Sequence, residues 1–322
     1  MPELPEVETV RRLLESCVVG RVVRSASLSG LALREPVARS LPRRLAGRRI
    51  ARVRRHGKYL LIDLDSDLTL LSHLGMSGKW TFHTAPPAAE PKHVHARVAF
   101  EDGAALWFED PRRFGLLRLV PTARLARDPA LRDLGPDPIA APPAPEGLLE
   151  LARGARVSIK NFLLDQRRLA GIGNIYASEI LFRANVDPRR AAGWLREPEW
   201  RAVAREIASV LGESIRRMGT TFSMYRNPRG EPGAFAEELR VYDRAGEPCR
   251  TCGSPIRRIV QGQRSTFFCP RCQGPGGRPG ARPAAPAATR PASGRNRPRT
   301  EPDSGNSRHA RSRKGFRRVR QP

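Results

Sequence analysis

The sequence predicts an α+β protein: an N-terminal β-sandwich with flanking helices, then a helical module, a cysteine-bearing β-hairpin and a disordered basic tail. Three observations predict it. Residues near 20–120 fall into short strand-like runs, the stretches on either side carry apolar residues at helical spacing, and four cysteines form two close pairs near the end. At roughly 100–200 residues per domain, the 322 residues make two or three domains.

The first element is a helix over 5–18, where Val7, Val10, Leu14 and Cys17 recur at helical spacing with Leu13 beside them. Cys17 is a small hydrophobe on that stripe. Lys58 to Leu64 and Leu68 to Leu71 make paired strands across Asp65-Ser66-Asp67. Val94 to Phe100 alternates with period two, then turns at Glu101-Asp102-Gly103 into Leu106-Trp107-Phe108. Several such strands in about 100 residues indicate a sandwich. Prolines 136, 138, 142, 143 and 145 mark a linker over 136–148. Beyond it Trp200, Val203, Ile207, Val210, Leu211 and Ile215 form a helical stripe that ends at Met218-Gly219. The expected domains are 1–135, 149–240 and 241–273, followed by the tail 274–322.

The tail is a separate regime. Its net charge is +11, it holds 8 Pro and 7 Gly, and its only large apolar residues are Phe316 and Val319. Such a segment buries too little surface to offset chain entropy. It is either a nucleic-acid-binding arm or a solvating tail. The whole chain carries 58 Lys+Arg against 32 Asp+Glu, a net charge of +26, and a polyanion is the default partner for that excess. No stretch approaches the roughly 18 apolar residues of a membrane span. The opening Met1-Pro2-Glu3-Leu4-Pro5-Glu6 does not suit a secretory or transit peptide. The expectation is a soluble cytoplasmic, nucleoid-associated protein with no membrane partner.

Cys249-x2-Cys252, sixteen intervening residues and Cys269-x2-Cys272 have the spacing of one structural zinc. Arg250, Arg257, Arg258 and Arg271 surround the thiolates and offset their charge. Four ligands leave the ion no open position, so its role is to stiffen the hairpin ending Gln263-Arg264-Ser265-Thr266-Phe267-Phe268. At the other end, removal of Met1 would leave Pro2 as a secondary amine with a neutral fraction at pH 7. Such an amine attacks an electrophilic sugar carbon, and Glu3 beside it is a candidate general acid. The alternative is that Pro2 and Pro5 start a helix whose dipole Glu3 and Glu6 favour.

Taken together, the motifs carry a resemblance. Pro2-Glu3-Leu4-Pro5-Glu6-Val7-Glu8-Thr9, Gly57-Lys58-Tyr59-Leu60, His73-Leu74-Gly75-Met76-Ser77-Gly78 and Asp110-Pro111-Arg112-Arg113-Phe114-Gly115 occur in order, followed by Leu164-Asp165-Gln166, Gly171-Ile172-Gly173-Asn174-Ile175-Tyr176-Ala177-Ser178-Glu179 and the four-cysteine finger. Over residues 2–273 the sequence resembles the bacterial formamidopyrimidine-DNA glycosylases. The resemblance implies a sandwich domain, a helix–two-turn–helix domain and a zinc finger clamped around damaged double-stranded DNA, working as a monomer. It implies excision of 8-oxoguanine opposite cytosine and of formamidopyrimidines after base flipping. Pro2 would be the nucleophile, Glu3 the acid that assists sugar-ring opening, Lys58 the proton donor in β-elimination and Arg264 the phosphate grip in δ-elimination. Met76, Arg112 and Phe114 would fill the gap left by the flipped base, although Met76 and Phe114 also suit a sheet core.

His93, Lys160, Asn174, Arg156, His73 and Tyr242 match DNA-contacting positions or are candidates for them. A helix cap remains open for Asn174, and packing for Tyr242. His73 belongs with His56, His83, His93 and His95, whose spacing fits no second metal site and suits strand or phosphate-contact histidines. Gly219 to Phe222 through Gly233 to Phe235 match the loop that covers the extruded base, with a variable interior at 223–229. Two other readings stay open: an endonuclease VIII-type enzyme for oxidised pyrimidines, and a non-catalytic DNA-binding protein on the same fold.

Overall fold

The computed structural model describes residues 2–220 and 227–274. Met1, the loop interior 221–226 and the tail from 275 onward lie outside the described residues.

Helix α1 (Leu4–Val18) opens the chain, with Pro5 in its first turn where a missing N–H costs nothing. Strand β1 (Val23–Leu28) and the short helix α2 (Leu41–Leu45) follow. Then come β2 (Ile50–His56), β3 (Tyr59–Leu64), β4 (Leu68–His73), β5 (Lys79–His83), β6 (Val94–Phe100), β7 (Ala105–Glu109) and β8 (Leu116–Pro121). Two four-stranded antiparallel sheets result, ordered β1-β6-β7-β5 and β2-β3-β4-β8. Val98, Phe100, Leu106 and Phe108 of the first meet Val53, Leu60, Ile62 and Leu117 of the second in one core. This is the expected sandwich. On the second sheet's other face Leu61, Leu71, Leu116 and Val120 pack with Leu125. Burial on both faces explains why β3 reads as an unbroken apolar run.

The helical module holds α3 (Pro145–Ala152), α4 (Ile159–Leu164), α5 (Asn174–Arg183) and α6 (Glu197–Arg216). Helix α3 begins inside the proline-rich stretch because Pro145 occupies a helix start, a position that tolerates proline. Phe162, Tyr176, Ile180, Trp200, Ile207 and Leu211 fill this second core. Leu4 belongs to it as well, whereas Val7, Val10, Leu14 and Val18 belong to the sandwich core. Helix α1 therefore enters both cores, and its N-terminus lies between them.

The last unit is the hairpin of β9 (Arg257–Gln261) and β10 (Arg264–Phe268). Gly262 and Gln263 both have positive φ, +53° and +61°, as a two-residue type I′ turn requires. Gln273 donates from Nε2 to the Val186 carbonyl at 2.9 Å and docks the unit on the helical module.

Candidate active site and nucleic-acid interface

Pro2 is buried at the start of α1. The Glu3 side chain faces two helix starts, forming a capping box with Glu6 of α1. Its Oε1 accepts the Ile175 amide at 3.1 Å and its Oε2 the Tyr176 amide at 3.4 Å, so it caps the N-terminus of α5. The glycines of 171–173 make room for this. A Cβ on Gly173 would lie 2.2 Å from the Glu3 carboxyl carbon, and one on Gly171 would meet Leu4 at 2.6 Å. The Leu4 amide donates to the Gly171 carbonyl at 3.1 Å, which locks α1 to the loop.

Lys58 reaches the same loop from the sandwich. Gly57 and Lys58 form the two-residue turn between β2 and β3, with Gly57 at φ +55°. The Lys58 ammonium donates to the Ile172 carbonyl at 3.3 Å. Burial lowers its pKa, and the Arg264 charge pushes the same way against the charge of Glu3. Glu3, next to buried Pro2, and Lys58 thus reach the same stretch, residues 172–176, from α1 and from the β2–β3 turn.

Sequence reasoning treated Glu6 only as a helix-dipole residue. It is buried, accepts the Glu3 amide at 2.7 Å and the Thr220 amide at 2.7 Å, and accepts a short hydrogen bond from the Tyr176 hydroxyl. Burial raises its pKa, and Glu3 adds to the rise. Glu6 thereby ties α1 to Thr220, the last described residue before 221–226. Glu179 was also passed over. Its buried carboxylate accepts the amides of Arg240, Val241 and Tyr242 at 2.9 Å each, fixing the approach to the finger. An acid inside the apolar run of α5 was the available signal.

The hairpin tip is clamped over this loop. The Ser265 carbonyl accepts from Lys160 Nζ at 2.7 Å and from Asn174 Nδ2 at 2.9 Å, which leaves the neighbouring Arg264 exposed at the turn. Lys160 is a correction: expected on DNA, it is 0 % exposed and also donates to Thr266 Oγ1 at 2.7 Å. Burial lowers its pKa to about 8, with Arg264 contributing. Its charge is spent holding the finger. Tyr242 packs on Phe267 with ring centroids 5.1 Å apart. Burial raises the pKa of its hydroxyl, while a hydrogen bond with Asn174 opposes the rise.

The three candidate gap-filling residues project from two loops. Met76 is 40 % exposed and Phe114 is 47 % exposed, so neither is sheet core. The Arg112 guanidinium lies 4.9 Å above the Phe114 ring. Buried Asp110 joins the loops, accepting from Ser77 Oγ at 2.5 Å and from the Gly115 amide at 2.7 Å, while the Arg112 amide donates to Ser77 Oγ at 3.2 Å. His73 is half-buried, and its Nδ1 accepts the Gly75 amide at 2.9 Å, so the ring braces the Met76 turn. Burial, with help from the Lys58 and Arg34 charges, lowers its pKa to about 4. His93 and Arg156 are exposed and free to meet a backbone phosphate.

The four finger sulfurs lie within 4.8 Å of one another, with Cys249–Cys272 at 3.9 Å and Cys252–Cys269 at 3.4 Å. A tetrahedral zinc with bonds near 2.3 Å sets its sulfurs about 3.8 Å apart. Burial opposes ionisation of Cys252, but hydrogen bonding from Ser254 and the neighbouring thiols outweighs it and brings that thiol to about 6. Amides of Thr251 and Cys272 donate to Cys249 and Cys269 sulfur at 3.4 Å each. The residues fit one structural zinc.

Known proteins carry the same arrangement. The chain matches the formamidopyrimidine-DNA glycosylase N-terminal domain over residues 1–117, the H2TH domain of the same enzymes over 134–226, and the zinc finger found in FPG and IleRS over 246–274. The formamidopyrimidine-DNA glycosylase of Methylococcus capsulatus is 46% identical over 274 residues, covering 85% of this chain and 100% of that protein. The chain belongs to the formamidopyrimidine-DNA glycosylase family. Among solved glycosylase structures, the MutM (FPG) protein of Thermus thermophilus is 41% identical and superposes with a TM-score of 0.76 over 85% of this chain and 99% of that one. The Lactococcus lactis glycosylase in complex with DNA containing an abasic site is 33% identical, with a TM-score of 0.78 over 84% of this chain and 99% of that one.

Proposed function

We propose that this chain is a bifunctional DNA glycosylase and abasic-site lyase of base excision repair, acting on 8-oxoguanine opposite cytosine and on formamidopyrimidines in duplex DNA. One observation carries the reading: Glu3, next to Pro2, and Lys58 meet at residues 172–176 within reach of the Arg264 charge, in a family whose Lactococcus lactis member is solved with Fapy-dG and abasic-site DNA. With Met1 removed, the Pro2 nitrogen attacks C1′ of the flipped nucleotide. The new N–C1′ bond replaces the bond to the base, which leaves with a proton. Glu3, held by the α5 amides, donates to the ring oxygen as the sugar opens to an iminium. That iminium acidifies the C2′ hydrogen, and its loss expels the 3′ phosphate with Lys58 supplying a proton. A second elimination expels the 5′ phosphate, gripped by Arg264.

Met76, Arg112 and Phe114 fill the vacated stack, with Arg112 facing the orphaned cytosine. His93, Arg156, Asn174 and Tyr242 line the backbone path, while Lys160 and His73 support it from behind. The domains would be 1–135, 149–240 and 241–273, and the enzyme a nucleoid-associated monomer. No described helix is long and apolar enough to cross a membrane.

The test is incubation with a duplex containing 8-oxoguanine opposite cytosine in borohydride. The expected result is a covalent protein–DNA band that maps to Pro2. Absence of the band, with Met1 gone and the DNA bound, overturns the reading. The Lactococcus lactis glycosylase is also solved with oxidised-pyrimidine DNA, so a dihydrouracil duplex is the comparator, expected to react more slowly.

A further inference from the structure

Behind the β2–β3 turn lies a buried ion cluster that the chemistry above does not use. Arg55 is 4 % exposed in its side chain. Its Nε donates to Glu8 of α1 at 3.0 Å and its Nη1 to the Gly57 carbonyl at 2.9 Å. It also forms a bidentate pair with Asp137 of the proline-rich segment, where Nη2 donates at 3.1 Å and Nη1 makes a shorter contact. Asp137 closes the ring, accepting the Gly57 amide at 2.8 Å and the Ile139 and Ala140 amides at 3.0 and 3.2 Å. Both ends of the Gly57 backbone are therefore held by the cluster, one residue before Lys58.

An ion pair this deep is a poor stabiliser compared with a packed apolar replacement. What it does supply is direction. Its hydrogen bonds fix three segments at one point: the helix that carries Pro2 and Glu3, the turn that carries Lys58, and the connection between the two cores. Burial works against ionisation of Asp137 and Glu8, yet the arginine bonds hold both carboxyl pKa values below their ordinary range, so the cluster is charged at neutral pH. Gly57 has no room to drift on its other side, since a Cβ there would meet Ala170 at 3.0 Å and the Gly171 amide at 3.3 Å.

We propose that Arg55 and Asp137 are positioning residues for Lys58, setting the β2–β3 turn so that the ammonium meets the Ile172 carbonyl and the reacting phosphate. The proposal rests on the reading of Lys58 as the elimination proton donor. The experiment uses the full-length zinc-loaded protein and measures single-turnover strand cleavage at a preformed abasic site. Affinity for a duplex with an uncleavable tetrahydrofuran site is measured in parallel. Asp137→Asn should slow cleavage roughly 10- to 100-fold, the scale of a misplaced catalytic group, with affinity within about twofold of wild type. Asp137→Glu, which keeps the charge pair, should recover part of the rate. On a Lys58→Ala background, Asp137→Asn should cost nothing further, because a positioning effect vanishes with the group it positions.

An unchanged rate in Asp137→Asn overturns the proposal, and so does equal loss of rate and affinity. Equal further loss on the Lys58→Ala background overturns it as well, by making the role merely structural. Should Asp137→Asn not fold, Arg55→Lys carries the same comparison. A Lys58→Ala protein cleaving at the wild-type rate instead refutes the reading of Lys58 itself, a result distinguishable from all the others.

Discussion

Glu3 accepts two amides of α5 while sitting next to Pro2, the proposed nucleophile, and its position depends on the absence of a side chain at Gly173. Gly173 has φ −125°, which any residue can adopt, so the restriction is steric alone. Gly173→Ala should therefore leave the fold intact and displace the carboxylate. We expect borohydride trapping to fall roughly 100-fold with little change in melting temperature, and trapping within a few fold of wild type would contradict the capping role. His73 makes a second point at this scale. Its pKa falls from 6.5 unfolded to about 4 folded, so between those values the unfolded chain binds more protons. The His73 contribution is complete above pH 6.5 and is lost as pH falls toward 4. Urea midpoints at pH 7.5 and 5 should show wild type losing about 1–2 kcal/mol more than His73→Gln, allowing for partial exposure; equal losses would mean the ring titrates normally. The four cysteines were legible because their spacing states their chemistry, whereas Pro2, Glu3 and Lys58 stood out only through the motifs they share with the glycosylase family. Glu6, Lys160 and His73 were not legible, because their roles are set by partners such as Thr220, Ser265 and Gly75, and sequence spacing does not say which side chain is turned inward.

The hairpin of β9 and β10 is short and its turn contains a non-glycine residue at positive φ, Gln263, so it draws little stability from itself. Its small core of Val241, Ile256 and Phe267 is completed by Cys249 and Cys269. Zinc removal should therefore unfold residues near 245–273 and release Arg264 and the Ser265 carbonyl from Lys160 and Asn174. Hydrogen exchange should show protection lost there and kept in β3 and β4, with weakened DNA binding; undiminished affinity after verified metal loss would count against a structural zinc. Elements differed in legibility for physical reasons. The pair β3–β4 stood out because its apolar runs flank an Asp-Ser-Asp turn, and α6 because twenty residues repeat one buried face. Strand β2 was obscured by a bulge between Ile50 and Arg52 and by three arginines, of which Arg54 pairs with Asp63 and Arg55 with Glu8 and Asp137. Helix α4, six residues long, is too short to display a period.

At the scale of the whole molecule, a sequence reveals two apolar regions but not what joins them. Here the joints include Leu4 of α1, which inserts into the helical core, and the Arg55 cluster, neither of which has a periodic signature. Charge is different, because it acts through its sum. Of the net +26, +11 comes from residues 274–322, which from 275 onward lie outside both the family match and the described residues. The catalytic and zinc-binding candidates all lie before that segment, so deleting it should leave the single-turnover rate at a lesion unchanged. Non-specific affinity obeys another rule: each phosphate neutralised contributes a slope of about −0.9 in log K against log salt. If the 13 basic residues of the segment meet the duplex, the truncated protein should bind undamaged DNA with a shallower slope, by several units, and more weakly at low salt. The measurement is a salt titration of both forms on one undamaged duplex. Coincident slopes would assign those charges to some other polyanion and leave the DNA contacts to the body of the enzyme.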